Sequence, residues 1–243
     1  MALAIKTAPT TEPLTIDEAK LHLREDGTDQ DDLISSLIVA ARQHVEDVLK
    51  RSLITQTWEL WLEEFPSRDY IEIPFPPLQV PSVTAGAFVT GTAYRILTIG
   101  TTNFTLIGAS ANMVGVVFTA TGAGVGTGTA TASIIIKYYG TDDTEYSFAG
   151  SYYLVDIKSE PARVCLNYAQ VWPTTTLRDF NGVCITFISG YGLATAVPKA
   201  IKQAMLLIIG LLYEHREAAT EKALKTLLSA VDALLFPYRI FGF

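Results

Sequence analysis

Apolar residues at helical spacing mark both ends of the chain, whereas alternating and short apolar runs mark its middle. The spacing predicts one helical hairpin over residues 14–51 and a second over residues 197–235. Thr15 can cap the first hairpin while Glu18, three residues later, reaches back to the Thr15 amide. Pro198 suits a first helical position in the second, because its missing N–H had no helical partner. Neither hairpin has enough apolar face to be stable alone, so we expect each to need the other.

The middle of the chain is predicted to be antiparallel β structure. Residues 140–143 read as a turn between two strand-like runs, which predicts a hairpin over residues 133–148. Strands are predicted at residues 58–63, 70–74, 133–139, 144–148, 153–156, 163–166 and 183–189. The predicted fold class is α+β: a helical frame from the N- and C-terminal helix pairs, with a central antiparallel β region that carries an inserted small β module.

The inserted module is predicted from composition. Residues 84–132, called the insert below, contain nine glycines, twelve threonines and a single charged residue, Arg95. Short strand-like runs at 94–97 and 116–119 are separated by glycines. We expect residues 1–83 and 133–243 to form one domain, with the insert at a strand tip where insertions cost little. The glycine run at 122–128 lacks the Lys-Ser/Thr of a phosphate loop and leads into a strand, so it predicts a flexible hairpin or loop.

The net charge of −7 is distributed unevenly along the sequence. Residues 1–83 hold 7 basic and 15 acidic side chains, and residues 133–243 hold ten of each sign. The acidic N-terminal third argues against direct binding of nucleic acid, which needs clustered Lys and Arg. It fits a surface past which DNA moves without sticking. The more general interpretation is an acidic solvated surface that keeps the protein soluble.

No catalytic, cofactor or metal site is predicted. The acidic loop over residues 26–32 offers no register with the Gly and Glu of an EF-hand, and its carboxylates favour the positive end of the next helix. His22, His44 and His215 are scattered without the spacing of a zinc site. The sequence contains no Gly-x-Ser-x-Gly elbow and no paired-carboxylate motif. We therefore expect a protein that is not an enzyme and uses no cofactor.

Targeting and redox signals are weak. The longest apolar candidate, residues 204–213, is too short for a membrane span and predicts a buried core helix. The N-terminus lacks the basic start and apolar stretch of a signal peptide. Cys165 and Cys184 lie in apolar strand-like runs, which predicts reduced packing residues over a disulfide. We expect a cytoplasmic origin and no membrane partner.

Several short stretches of the sequence follow one another in an order and spacing typical of one protein family. The first hairpin, from Leu14 to Leu53, begins the series. The others are Pro76-Pro77-Leu78-Gln79, Ser159-Glu160-Pro161-Ala162-Arg163, Trp172-Pro173, Phe187 to Gly192 followed by Val197 to Gln203, Tyr213 to Glu217, and Leu234 to Arg239. Together they resemble the head–tail connector proteins of tailed bacteriophages, in the gp6-like adaptor (DNA-packaging connector) family. The resemblance covers most of the chain, and the insert departs from the family's minimal pattern.

The resemblance implies a mechanical role in the virion neck. Members of this family form a ring of about a dozen subunits that docks under the portal after DNA packaging. The ring extends the DNA channel and provides the platform to which a stopper (head-closure) or tail protein attaches. The resemblance thus implies four kinds of partner: further copies of the chain, the portal protein, the stopper or tail protein, and genomic DNA that passes through the lumen without specific binding. The chain would be made in the host cytoplasm and reside at the head–tail interface.

Such a ring needs a lateral surface toward its neighbours and axial surfaces toward portal and tail. On the helix over residues 31–51, one apolar stripe is predicted to be mostly core, consisting of Leu33, Leu37, Ala40, Ala41, His44, Val45 and Val48. The opposite face is the candidate inter-subunit surface, consisting of Gln43, Glu46, Asp47 and Lys50.

The C-terminus is the second candidate contact, because its last eight residues include four aromatics after a proline that ends the preceding helix. The candidate portal or subunit contacts are Phe236, Tyr238, Arg239, Ile240, Phe241 and Phe243. The same segment can instead pack back on its own core, since exposed aromatics are a liability in water. Both interpretations remain open at this point.

Two function classes remain. The first is the ring adaptor, and the second is a monomeric β-rich virion module that binds host or carbohydrate, with the helices as support. Self-assembly separates the two, because a binding module need not form a closed ring. The insert likewise has two interpretations: a sheet that contacts a neighbouring protein by strand pairing, or a tolerated appendage.

Overall fold

The computed structural model describes residues 1–132, 134–214 and 229–240. The chain divides into two compact units. The β unit contains Met1–Ala8, Gln56–Ile73 and Leu78–Ser189. The helical unit contains Pro9–Thr55, Pro74–Pro77 and the described part of Gly190–Phe243. Helices and antiparallel sheets both occur, which confirms the predicted α+β class.

The helical unit is built from both ends of the sequence. Its helices are α1 (Ile16–Leu23), α2 (Asp31–Leu49), α3 (Lys199–Glu214) and α4 (residues 229–235). α2 packs against α1 and α3, and α4 adds Val231 and Leu235 to the same core. The two predicted hairpin regions therefore share one hydrophobic interior, as expected from their incomplete apolar faces.

The predicted start of the first hairpin is confirmed. The Glu18 amide donates to Thr15 Oγ1 at 3.1 Å, and the Thr15 amide donates to Glu18 Oε2 at 2.8 Å. This reciprocal pair is the capping box, which satisfies two amides that have no partner within the helix. α3 begins directly after Pro198, whose carbonyl accepts from the Ile201 amide at 3.0 Å.

The chain leaves the helical unit after Thr55 and, apart from the short segment Pro74–Pro77, returns to it at Gly190. Thr55 and Gly190 lie side by side. The Thr55 amide donates to the Gly192 carbonyl at 3.4 Å, and the Tyr191 amide donates to the Leu53 carbonyl at 3.2 Å. Gly190 has a φ of +125°, and a Cβ there would lie 2.3 Å from the Ile54 carbonyl oxygen. Both the backbone conformation and the close approach require glycine.

The described residues of the β unit form three antiparallel sheets. The first has the order β1-β2-β12-β8-β9, the second β10-β11-β3 and the third β4-β7-β5-β6. The strands are β1 (Ala2–Thr7), β2 (Gln56–Leu62), β3 (Tyr70–Ile73), β4 (Val83–Thr84), β5 (Ala93–Thr98), β6 (Val117–Thr119), β7 (Thr129–Thr131), β8 (Ile134–Tyr139), β9 (Glu145–Phe148), β10 (Tyr153–Asp156), β11 (Ala162–Leu166) and β12 (Val183–Ser189).

The predicted strands outside the insert are confirmed with shifts of one or two residues at their ends, and one strand was missed. β1 pairs with β2, with Leu3 opposite Leu60 and Ile5 opposite Trp58. All β1 residues except Leu3 are exposed. β1 therefore has no alternating pattern that sequence reasoning could detect, and pairing with β2 alone places it in the sheet.

The insert forms the third sheet and has a core of its own. Phe88, Tyr94, Phe104 and Phe118 are buried together, with ring centroids 5.0–6.0 Å apart. The glycine run connects β6 to β7, which lie on opposite sides of β5. It is therefore a crossing loop and not a hairpin. The predicted domain boundary at residues 84 and 132 stays a prediction.

We expect the capping box to make the stability of the helical unit depend on pH. The hydrogen bond from the Thr15 amide, with help from Lys202, holds the pKa of Glu18 below its ordinary value of 4.5. A carboxyl whose pKa is lowered by folding stabilises fully above its unfolded pKa, and this stabilisation is lost as pH falls through the folded value. Glu18→Gln keeps a capping side chain and removes the titration.

The measurement is urea unfolding of both proteins between neutral pH and about pH 3. The wild type should lose more stability than Glu18→Gln below pH 4.5. Parallel curves for the two proteins would contradict the assignment.

Candidate assembly surface

The buried face of α2 includes a charged pair, Arg42 and Glu46, of which Glu46 was predicted to lie on the opposite, exposed face. Its buried residues are Ile34, Ile38, Ala41, Arg42, Val45, Glu46 and Leu49. The predicted stripe was right at Ala41 and Val45 but wrong at Ala40 and His44, which are exposed. The interior face is rotated because Arg42 and Glu46 lie inside the unit, where a simple count of apolar residues does not place charges.

Arg42 and Glu46 belong to a buried ionic network. Arg42 Nη1 lies 2.8 Å from Glu46 Oε2, and Arg42 Nε lies 2.8 Å from Glu12 Oε2. The Arg42 and Glu46 side chains are only 7% and 9% exposed. The Leu53 amide donates to the remaining Glu46 oxygen at 2.8 Å. The network therefore joins α2 to the segment before α1 and to the turn that follows α2.

Glu46 is consequently unavailable as a contact for a neighbouring subunit, and its place in the candidate interface is corrected. Both of its carboxylate oxygens are engaged inside the helical unit. The other three candidates on this helix, Gln43, Asp47 and Lys50, are exposed. Asp47 and Lys50 form an exposed ion pair at 3.0 Å, a type of pair that contributes little to stability.

The described part of the C-terminal segment lies against the end of α2. The Ile240 amide donates to the Leu49 carbonyl at 3.1 Å, and Arg51 Nε donates to the Tyr238 carbonyl. Arg239 pairs with Asp232 of α4 at 3.0 Å. Tyr238 packs on the helical core, whereas Phe236 is 63% exposed. Residues 238–240 thus fold back on their own unit.

The structure therefore brings the two predicted contact regions together. The exposed face of α2 ends at Lys50, and the C-terminal segment is bonded to its neighbours Leu49 and Arg51. We call Gln43, Asp47, Lys50 and Phe236–Ile240 the α2-end surface. The remaining two candidates, Phe241 and Phe243, lie outside the described residues, as does His215.

The β unit holds both cysteines, and both are free. Cys184 is buried in β12, and burial raises the pKa of its thiol to about 12. A thiol with so high a pKa is neutral and unreactive at physiological pH.

Within residues 1–132, 134–214 and 229–240, no three His, Cys, Asp or Glu side chains are placed to hold a metal ion. In the same part of the chain, no helix is long and apolar enough to cross a membrane.

Part of the chain matches a known protein family, and the whole fold is similar to solved structures. Residues 13–84 match the family model of the phage gp6-like head-tail connector protein. This stretch contains α1, α2, β2, β3 and β4. The resemblance expected from sequence is confirmed over this part of the chain. No curated protein matches the chain.

The whole fold is similar to that of solved virion proteins. One is a chain of the neck of an empty gene transfer agent (GTA) particle computed with C6 symmetry, with a TM-score of 0.66 and 18% identity. Another is a chain of the native GTA virion, with a TM-score of 0.62 and 19% identity. A third belongs to the native GTA neck computed with C12 symmetry, with a TM-score of 0.56 and 21% identity. Each alignment covers 100% of this chain and 97% of the other.

We expect the Arg42–Glu46 network to stabilise the helical unit. Glu46→Ala should lower the free energy of unfolding by about 3–5 kcal/mol, because it leaves the buried Arg42 charge incompletely paired. Asp47→Ala is the matched control on the next residue, and it should cost less than about 1 kcal/mol because that carboxylate is exposed. Urea unfolding followed by far-ultraviolet circular dichroism measures both. Equal losses of unfolding free energy in the two variants would show that the buried network contributes no more to stability than the exposed Asp47 carboxylate does.

Proposed function

We propose that the chain is a non-enzymatic structural protein of a phage-like virion, a head–tail connector (adaptor) in the neck of the particle. The observation that carries the proposal is the full-length likeness to neck proteins, which includes the helices, the sheets and the insert. The match of residues 13–84 to the head-tail connector family supports it independently. In this role the chain is made in the host cytoplasm and resides at the head–tail interface.

The connector acts as a closed ring. The similar chains come from necks computed with C6 and C12 symmetry, which supports a ring of about a dozen copies here. A cyclic ring requires two different faces that meet head to tail, so that each copy contributes both. The ring docks below the portal protein, extends the DNA channel and provides the platform for the stopper or tail protein.

The α2-end surface is proposed to make the portal or subunit contact. It combines an exposed aromatic ring, Phe236, with polar groups on a segment fixed by hydrogen bonds to Leu49 and Arg51. Aromatic anchors on a preorganised backbone contribute most to interface energy, since little freedom is lost on binding. The exposed Asp47 and Lys50 belong to the polar rim of such a contact.

Genomic DNA passes through the ring without specific binding. The turn between α1 and α2 exposes Asp26 and Asp29, and the first turn of α2 exposes Asp32. Phosphates and carboxylates repel each other within a Debye length of roughly 8–10 Å, so an acidic surface does not retain DNA. The α1–α2 turn is therefore suited to a surface that DNA passes.

The alternative, a monomeric β-rich module that binds host or carbohydrate, treats the helices as a support. The likeness to neck proteins extends over the helical unit as well as the β unit, and this favours the connector.

The mass of the purified chain, alone and mixed with its portal protein, tests the proposal. One copy has a mass of 26.5 kDa. We expect a ring-sized species in at least one of the two conditions, because a connector assembles either by itself or on the portal. Analytical ultracentrifugation or mass photometry provides the measurement. A strict monomer that does not bind portal would favour the binding module.

The α2-end surface is tested by Phe236→Ala. Because Phe236 is 63% exposed, its removal should leave the stability of the monomer almost unchanged. Loss of an interface anchor should weaken ring assembly or portal docking by about tenfold or more. Phe180→Ala is the matched control, since Phe180 is 75% exposed in the β unit.

Deletion of residues 240–243 is a second variant, and it should also weaken assembly while the monomer stays folded. Assembly as strong as wild type in both Phe236→Ala and the truncated chain would exclude this surface from the interface.

A further inference from the structure

We propose that the insert is a contact module between neighbouring copies of this chain. The contact is centred on three exposed apolar residues, Val89, Leu106 and Val125, which we call the neutral patch. The inference rests on the ring proposed above and goes beyond it, because it assigns a role to the insert, almost all of which lies outside the residues 13–84 that match the connector family model.

The insert surface has almost no charge. Of the 49 residues from 84 to 132, only Arg95 carries a charge. A surface of about 25–35% charged residues is the range recommended for keeping a designed protein soluble, whereas the centres of protein interfaces are depleted of charge. Burying the insert surface therefore desolvates almost no ions, unlike burial of the acidic surface elsewhere in the chain.

The neutral patch lies where three loops of the insert meet. The Phe88 and Gly86 amides donate to the Ala123 carbonyl, which joins the loop of Val89 to the loop of Val125. At Gly124 a Cβ would lie 3.1 Å from Ile107 Cδ1, so the loop of Val125 also packs on the short 3₁₀ helix that carries Leu106. Val89, Leu106 and Val125 are 62%, 77% and 80% exposed.

The single charge of the insert is directed at the rest of the β unit. The Arg95 guanidinium lies 5.4 Å from the centre of the buried Tyr153 ring. The Tyr153 hydroxyl in turn donates to the Ile134 carbonyl of β8 at 3.1 Å. At Gly150 a Cβ would lie 2.1 Å from Arg95 Cδ, so the two chain segments are in close contact. These contacts fix the insert on the β unit, so the neutral patch is presented in a defined orientation.

The charge balance selects a second copy as the occupant. Identical copies carry −7 each and repel one another, and residues 1–83 alone account for −8 of the charge. A partner of opposite charge would be attracted by that acidic third of the chain. Two like-charged copies instead approach most easily through a surface without charge, because like charges placed face to face cost several kcal/mol. The insert is the longest segment of the chain that meets this condition.

The test is photo-crosslinking of the full-length chain in assembled particles. Leu106 is replaced by the photoreactive amino acid p-benzoylphenylalanine, and Tyr168, which is 94% exposed in the β unit, is replaced in the matched control. Ultraviolet light should convert the Leu106 variant into a product at twice the 26.5 kDa of one chain. Mass spectrometry of that product should show peptides of this chain alone, and the Tyr168 variant should give little of it.

The two proposals fail in different ways. The chain is first detected in particles that have not been irradiated. If the chain is absent from these particles, both the proposed connector function and the inference are overturned. A chain that is present, but whose Leu106 probe reacts with a different protein or with nothing, overturns the inference alone.

Charge substitution gives an independent readout. Leu106→Glu and Val125→Glu should each lower the yield of rings by about tenfold or more, because a carboxylate would be buried against the next copy. Tyr168→Glu should leave the yield unchanged. Since all three positions are exposed, none of the substitutions should affect folding. Wild-type yields for Leu106→Glu and Val125→Glu would overturn the inference.

Discussion

The packing of α2 against α3 is the contact on which the helical unit depends. These helices lie toward opposite ends of the sequence, and their apolar faces meet in one core to which α1 and α4 also contribute. The hydrophobic effect therefore holds the two ends of the chain together in one core. The buried Arg42–Glu46 pair then fixes the rotation of α2, because a buried charge is tolerated only in contact with its partner.

The same ionic network links packing to the exposed surface. Glu46 anchors the Leu53 amide just beyond α2, and the C-terminal segment is bonded to Leu49 and Arg51 on either side of Lys50. The α2-end surface is thus set on a backbone that is held from within. In the insert, too, a charged side chain is held by contacts within the protein. Its single charged residue, Arg95, points toward the Tyr153 ring and leaves the exterior of the insert uncharged.

Much of the fold follows from sequence periodicity, whereas the failures have particular causes. Helix and strand positions could be predicted because apolar spacing and turn residues agree over whole segments. The buried stripe of α2 was misplaced because Arg42 and Glu46 look like surface residues until they are paired. β1 was missed because its exposed residues carry no alternation. The meeting of the C-terminal segment with α2 depends on tertiary contacts between residues far apart in sequence, which no local pattern encodes.

The adjacency of Thr55 and Gly190 has an evolutionary consequence. The helical core closes the chain into a loop whose ends are fixed, so the length of the excursion between them matters little to its stability. Each doubling of such a loop costs only about 0.6 kcal/mol in closure entropy, and the 49 residues of the insert lengthen the rest of the excursion by less than one doubling. A lineage can therefore gain, lose or exchange the segment at small thermodynamic cost, and can alter what one copy presents to the next without redesigning the helices.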